Sequence, residues 1–166
     1  RDDGREGDYD HGVLYDGALP LRVPGTHDWF NLLCWWRWPL TKAALNLRVV
    51  LHHAARLREL YGAGAAPNRR VARDAWLQRL ANLDEGGAVV RAGWLRDHAR
   101  ADPHGVLRRS GAAPSIGADF ALCGHAALEL LHRGDAAVPR LRLFIVELPE
   151  VSDAALMARV LTFSPT

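Results

Sequence analysis

The chain predicts an α+β domain with helix in the majority. Three observations carry this: apolar residues recurring at steps of three and four over 39–61, an alternating β-branched and aromatic segment at 140–148, and Gly/Pro punctuation that cuts the rest into short pieces. A β-hairpin and one further strand make up the expected small sheet. A length of 166 residues suits one domain with a real core, and 49% apolar and 24% charged residues place it among ordinary globular chains rather than disordered or fibrous ones.

Residues 1–12, charged and Gly-rich, read as a solvated lead-in, with a single globular domain over 13–166. Residues 13–25 are extended or looped around Gly17, Pro20, Pro24 and Gly25. A helix starts near Thr26 to Asp28, because Thr and Asp are good N-caps, and runs to Trp36 or Arg37. Pro39 stops it by disfavouring helical geometry at Trp38, and suits the first turn of a second helix over 39–61. That helix carries Ala43, Leu47, Val50, Ala54, Leu57 and Tyr61 as its buried stripe, with Gly62 and Gly64 past its end.

After a loop at 62–70, a short helix at 71–80 carries Trp76. Residues 80–83, the turn Asp84-Glu85-Gly86-Gly87 and residues 88–91 form the expected hairpin. A helical piece at 93–101 precedes a loop over 102–117. The spacing of Phe120, Cys123, Ala127 and Leu130 predicts a helix over 119–132, ended by Gly134. The segment 140–148 is a strand, and Ser152 caps a last helix from Asp153 to about Leu161, with Asp153 well placed against the helix dipole.

Composition excludes several functions. A net charge of +2 with dispersed basic residues leaves no nucleic-acid footprint, and Arg108-Arg109 reads as solvated surface, as do His98 and His104. No apolar run approaches the ~18 residues a membrane span needs. Cys34 and Cys123 sit in apolar surroundings and read as buried free thiols, which points to a reducing, cytoplasmic setting. Oligomeric state leaves no mark on the sequence.

The chemistry concentrates in 27–46, where four of the six tryptophans (Trp29, Trp35, Trp36, Trp38) surround His27, Asp28, Asn31, Asn46 and Lys42, the single lysine among 21 basic residues. Aromatic mass marks a packing centre, and polar groups threaded through it need partners. His27 and Asn31 share one helical face; Lys42, Asn46 and His53 share another. If Pro39 folds the two helices together, His27 can act as a base, Asp28 as its orienter, Lys42 as an electrostatic partner, and Asn31 and Asn46 as positioning amides beside Trp36 and Trp38. The plainer alternative makes Asp28 a cap, His27 a local hydrogen-bonder and Lys42 a surface residue.

His125, Glu129 and His132 lie at steps of four and three, so His125 and Glu129 could also ligate a divalent metal, although the order differs from an H-E-x-x-H helix. The acidic pair Asp84-Glu85 lacks the other ligands of a calcium loop and reads as turn chemistry. Cys34, inside a helix, is a poor reactive thiol.

The run His27-Asp28-Trp29-Phe30-Asn31, continued by Trp38-Pro39-Leu40-Thr41-Lys42 and Asn46, resembles the central signature of the bacterial domain of unknown function 3025 family. Arg73-Asp74-Ala75 with Leu83-Asp84-Glu85-Gly86-Gly87-Ala88, and Gly124-His125-Ala126-Ala127-Leu128-Glu129, resemble two further segments of that family, in the same order. Leu40 and Leu130 depart from its usual Arg and Lys, and its usual upstream region is missing from this chain. The resemblance implies a bacterial cytoplasmic protein and imports no activity. It does make His27, Asp28, Asn31, Lys42, Asn46, His125 and Glu129 motif positions together. The expected function is therefore a pocket for a polar or anionic small molecule, with hydrolysis as its chemistry. The alternative is a protein-interaction module built on the tryptophans.

Overall fold

The computed structural model describes residues 6–21, 25–65, 74–97, 119–134 and 143–163. Helix α1 (Glu6–His11) runs into a π-helical turn (Gly12–Asp16), followed by α2 (Thr26–Arg37) and α3 (Pro39–Tyr61). Then come α4 (Ala75–Gly86), β1 (Gly87–Arg91), α5 (Trp94–Asp97), β2 (Phe120–Leu122), α6 (His125–Arg133), β3 (Phe144–Leu148) and α7 (Asp153–Thr162). This is the expected α+β fold with helix in the majority.

The sheet has strand order β2-β1-β3, with β1 antiparallel to β2 and parallel to β3. Val89 stands opposite Ala121 on one side and Val146 on the other. As the central strand, β1 is buried at every position except Arg91, which is why Ala-Val-Val reads as a continuous apolar run. One apolar cluster joins the sheet to the helices through Trp38, Leu45, Leu80, Val89, Val146, Leu156 and Val160. A smaller one packs Ala88 and Leu122 against Ala127 of α6, with Leu128 and Leu131 alongside.

Pro39 occupies the first turn of α3, as expected. The free N–H groups that follow it are capped from far along the chain: Leu40 N and Thr41 N donate to the Asp153 carboxylate, at 2.9 Å each. Arg48 then donates to the carbonyls of Leu161 and Phe163, at 2.6 Å each. The Ser152 hydroxyl accepts from Ala155 N at 3.2 Å, the cap the sequence predicts. Gly134 closes α6 at φ 62°, a conformation open to a residue with no Cβ.

Five expectations change. Residues 13–16, expected to be extended or looped, instead continue α1 as the π-helical turn Gly12–Asp16. The hairpin over 80–91 does not form, because α4 continues through Asp84 and Glu85 to Gly86, and β1 pairs with β2 and β3 instead. Residues 120–122 are a strand rather than the start of a helix: their amides pair with β1, and tertiary pairing outweighs the helical spacing. The buried face of α3 is rotated from the expected stripe, leaving Ala43, Ala54 and Tyr61 exposed while Thr41, Lys42, Leu45 and Asn46 turn inward. The charged lead-in holds α1, whose Tyr9 and Asp10 accept hydrogen bonds from Asn31 and Asn46. The loop at 102–117, with His104 and Arg108-Arg109, lies outside the described residues, as does His98.

Candidate functional site

The site forms where the start of α2, the start of α6 and the end of α4 meet. Helix α2 starts after Gly25 with no side-chain cap. The Thr26 hydroxyl, expected near the cap, instead donates to Glu129 Oε1 at 2.9 Å. One residue on, His27 Nδ1 lies 3.1 Å from Glu129 Oε2. Against a carboxylate, Nδ1 carries the proton and Nε2 presents its lone pair.

His125 opens α6 and is 3% exposed. Its Nε2 lies 3.0 Å from His27 Nε2, with the rings edge to face at 4.5 Å between centroids. The same Nε2 lies 3.3 Å from Glu85 Oε2. Its Nδ1 has no hydrogen-bond partner among the described residues and faces Asp84 Oδ2 at 3.7 Å. Burial holds this imidazole below its ordinary pKa, against the opposing pull of Asp84 and Glu85, so at neutral pH it is an uncharged donor ligand or base.

Asp84 uses its other oxygen, Oδ1, to pair with the ammonium of Lys42. Lys42 is 5% exposed, and its Nζ lies 5.6 Å from the centre of the Trp35 ring. Burial alone would lower its pKa; the Asp84 carboxylate outweighs burial and holds it above the ordinary value, so the charge is fixed. Desolvation pushes Glu129 upward, but hydrogen bonds from Thr26 and His27 and the charge of Arg133 prevail, leaving it below the usual carboxylate range. Arg133 also donates to Thr26 Oγ1 at 3.0 Å, which puts a guanidinium at the rim.

Two glycines permit this convergence. A Cβ on Gly124 would sit 2.5 Å from Glu85 O, and nearer still to Gly87 N. Cys123 N and Gly124 N both donate to Gly87 O at 3.0 Å. The end of α4 is thus pressed against the start of α6, and Glu85 beside His125.

Ligand atoms of His27, Glu85 and His125 all lie within 4.8 Å of one another, close enough for one metal ion. The donor set is two imidazoles and one carboxylate, and two further carboxylates stand behind the imidazoles.

A model of the family described as protein of unknown function (DUF3025) matches residues 2–156. The chain belongs to that family. No curated protein and no solved structure matches it.

Of the residues the sequence singles out, the structure brings together His27, Lys42, His125 and Glu129. Lys42 is not a surface residue, and its ammonium pairs with Asp84. Asp28 is buried on α2, but the acceptor at His27 Nδ1 is Glu129. Glu129 stands behind His27, and the third side chain within reach of one ion is Glu85. Asn31 and Asn46 hold α1, through Tyr9 OH and Asp10 Oδ1 at 2.8 Å each. Trp36 is 81% exposed, and Trp38 is 1% exposed in the core, its indole N–H donating to Leu122 O at 3.1 Å. Trp35 borders the polar cluster through Lys42.

Sequence reasoning missed Asp84 and Glu85 by assigning them to a turn. The signal that could have found them was their place in a family segment alongside the two histidine motifs.

Proposed function

We propose that this centre binds a polar or anionic small molecule and hydrolyses it, in the cytoplasm of a bacterium. The observation that carries the reading is the meeting of two imidazole Nε2 atoms at 3.0 Å, each imidazole with a carboxylate at its other nitrogen. The Glu129 carboxylate at His27 Nδ1 fixes that tautomer and leaves the His27 Nε2 lone pair to accept a proton from a water beside the pair. His27 and His125 are the residues that would touch water or substrate. Glu129 and Asp84 position them, Lys42 locks Asp84, and Arg133 offers positive charge at the rim. Two free, buried thiols suit a reducing compartment.

The reading is tested with p-nitrophenyl acetate and p-nitrophenyl phosphate as probe esters. Turnover by the folded protein that falls at least about 100-fold in His27→Ala supports it, that being the scale of a lost general base. Absence of turnover on either ester counts against it.

A second reading draws on Trp29 and Trp36, which are 58% and 81% exposed and one heptad apart on the outer face of α2. Exposed tryptophans are common anchors in protein contacts. Trp29 lies roughly 200° around the helix from His27, so the two readings use different faces. Trp36→Ala would abolish capture of a partner and leave ester turnover unchanged.

A further inference from the structure

We propose that His27, His125 and Glu85 are the protein ligands of a divalent first-row transition metal, with Glu129 and Asp84 as the carboxylates that orient the two imidazoles. This deepens the hydrolytic reading by naming what would activate the water, yet the metal site can stand without that reading.

Four features argue for an ion. The first is spacing. With metal–nitrogen bonds of about 2.0–2.2 Å, neighbouring ligand atoms stand about 3.3 Å apart in a tetrahedral site and about 3.0 Å apart in an octahedral one. The Nε2–Nε2 separation is 3.0 Å and the His125 Nε2–Glu85 Oε2 separation 3.3 Å.

The second is direction. With Nδ1 of His27 committed to Glu129, its Nε2 lone pair points at His125, so the nitrogens that face each other are the ones free to ligate. Without an ion, one Nε2–H of His125 is shared between two acceptors, the His27 nitrogen and the Glu85 carboxylate.

The third is the unpartnered Nδ1 of His125, almost wholly buried and facing Asp84 Oδ2 at 3.7 Å. Ligation through Nε2 moves the imidazole proton to Nδ1, where Asp84 is the acceptor in place. No net proton is released, because the imidazole is neutral in both tautomers. A small rotation closes the gap to a hydrogen bond.

The fourth is the tether on Asp84. Its other oxygen is held by the Lys42 ammonium, so the carboxylate is fixed in position and its charge is balanced without using up the oxygen that His125 needs. Three protein ligands leave at least one coordination position for water or substrate. Two nitrogens in the set favour zinc, cobalt, nickel, iron or manganese over magnesium and calcium, which take oxygen donors.

The experiment uses the full chain stripped with a chelator and titrated with Zn(II) in competition with a chromogenic chelator, then with Co(II), Mg(II) and Ca(II). The expected result is one Zn(II) per chain. Affinity should fall more than about 100-fold in His27→Ala and His125→Ala, and about 10–100-fold in Asp84→Asn, the usual loss when a carboxylate behind a ligating histidine is removed. His132→Ala, at an exposed histidine on the same helix, should bind as the parent does. Co(II) should give visible ligand-field bands that vanish in His27→Ala. If His125→Ala fails to fold by circular dichroism, His27→Ala and Glu85→Gln decide the matter, since both side chains are partly exposed.

The proposal is overturned if the folded parent binds no Zn(II) stoichiometrically, if His27→Ala binds it equally well, or if Mg(II) or Ca(II) competes on equal terms. Stoichiometric binding without ester turnover would uphold the metal and sink the hydrolytic reading. Turnover by a chain that binds no metal, unchanged in chelator, would do the reverse.

Discussion

Replacing Gly124 by alanine drives two backbones apart at the base of the site. Gly124 has φ −91°, so alanine meets no torsional obstacle and the effect is one of space alone. The new Cβ would lie 2.5 Å from Glu85 O, where ordinary contact begins near 3.4 Å, so at least one side must retreat by about 0.9 Å. Neither neighbour is a flexible side-chain tip: one is the last turn of α4, the other the Gly87 amide at the head of the central strand. Overpacking against well-packed surroundings costs about 1–3 kcal/mol, and rigid backbone on both sides puts this case at the upper end. The same retreat lengthens the two 3.0 Å hydrogen bonds onto Gly87 O. At ~2–4 °C per kcal/mol for a domain of this size, Gly124→Ala should melt about 6–12 °C below the parent. Calorimetry measures this directly. Because the retreat separates Glu85 from His125, Zn(II) affinity should also fall. A variant melting within about 2 °C of the parent would refute the packing account, and one that melts low but binds Zn(II) as tightly would show that the close approach does not set the ligand geometry.

Burial pushes the Cys34 thiol up to about 12 and raises Cys123 as well, so neither should react with Ellman's reagent at neutral pH until the protein is denatured; prompt labelling of native protein would contradict this. Asp74 caps α4 by accepting from Trp76 N at 3.0 Å and Leu77 N at 2.9 Å, and those bonds, led by the one from Leu77, hold its pKa below the ordinary carboxylate range. A depressed carboxyl stabilises the fold above about pH 4 and stops doing so as the pH falls through its lowered value, so the melting gap between the parent and Asp74→Ala, about 1 kcal/mol at neutral pH, should close in acid; a gap that persists unchanged below about pH 3 would contradict this. Trp38→Ala should cost about 3–5 kcal/mol in urea unfolding, while Trp36→Ala should stay within about 0.5 kcal/mol of the parent, and equal effects would refute the assigned burial. Lys42→Met leaves Asp84 without its counter-ion. Because Asp84 is about one-third exposed, the loss should be about 2 kcal/mol rather than the 3–5 of a fully enclosed pair; an unchanged melting temperature would argue against the ion pair.

The helices that carry their own punctuation were legible in the sequence: the break at Pro39, the Ser152 cap and the Gly134 stop are local signals, and the structure keeps them. The strands were harder. The segment 120–122 is only three residues long, so its apolar positions fit a helix as well as a strand, and only the distant partner β1 decides between them. Asp84-Glu85-Gly86-Gly87 has every local mark of a turn, but Leu80 and Leu83 bury in the core and carry the helix on to Gly86. That one misreading hid two of the six polar residues of the site, since it removed Asp84 and Glu85 from consideration. His27, His125, Glu129 and Lys42 were visible as polar residues in family motifs, but their pairing was not. Which carboxylate stands behind which imidazole depends on how α2, α4 and α6 pack, about fifty to a hundred residues apart in sequence.

The clasp between α3 and α7 has a further consequence. Asp153 grips the head of α3 at Leu40, and Arg48 of α3 grips the tail of α7 at Leu161. Both intervals are eight residues, about 12 Å of helix on each rod, so the two run side by side as matched rulers pinned at both marks. Inserting or deleting one residue between the pins on either rod would leave one pin about 1.5 Å and a hundred degrees out of place. This pair of helices should therefore tolerate changes of side chain far more readily than changes of length.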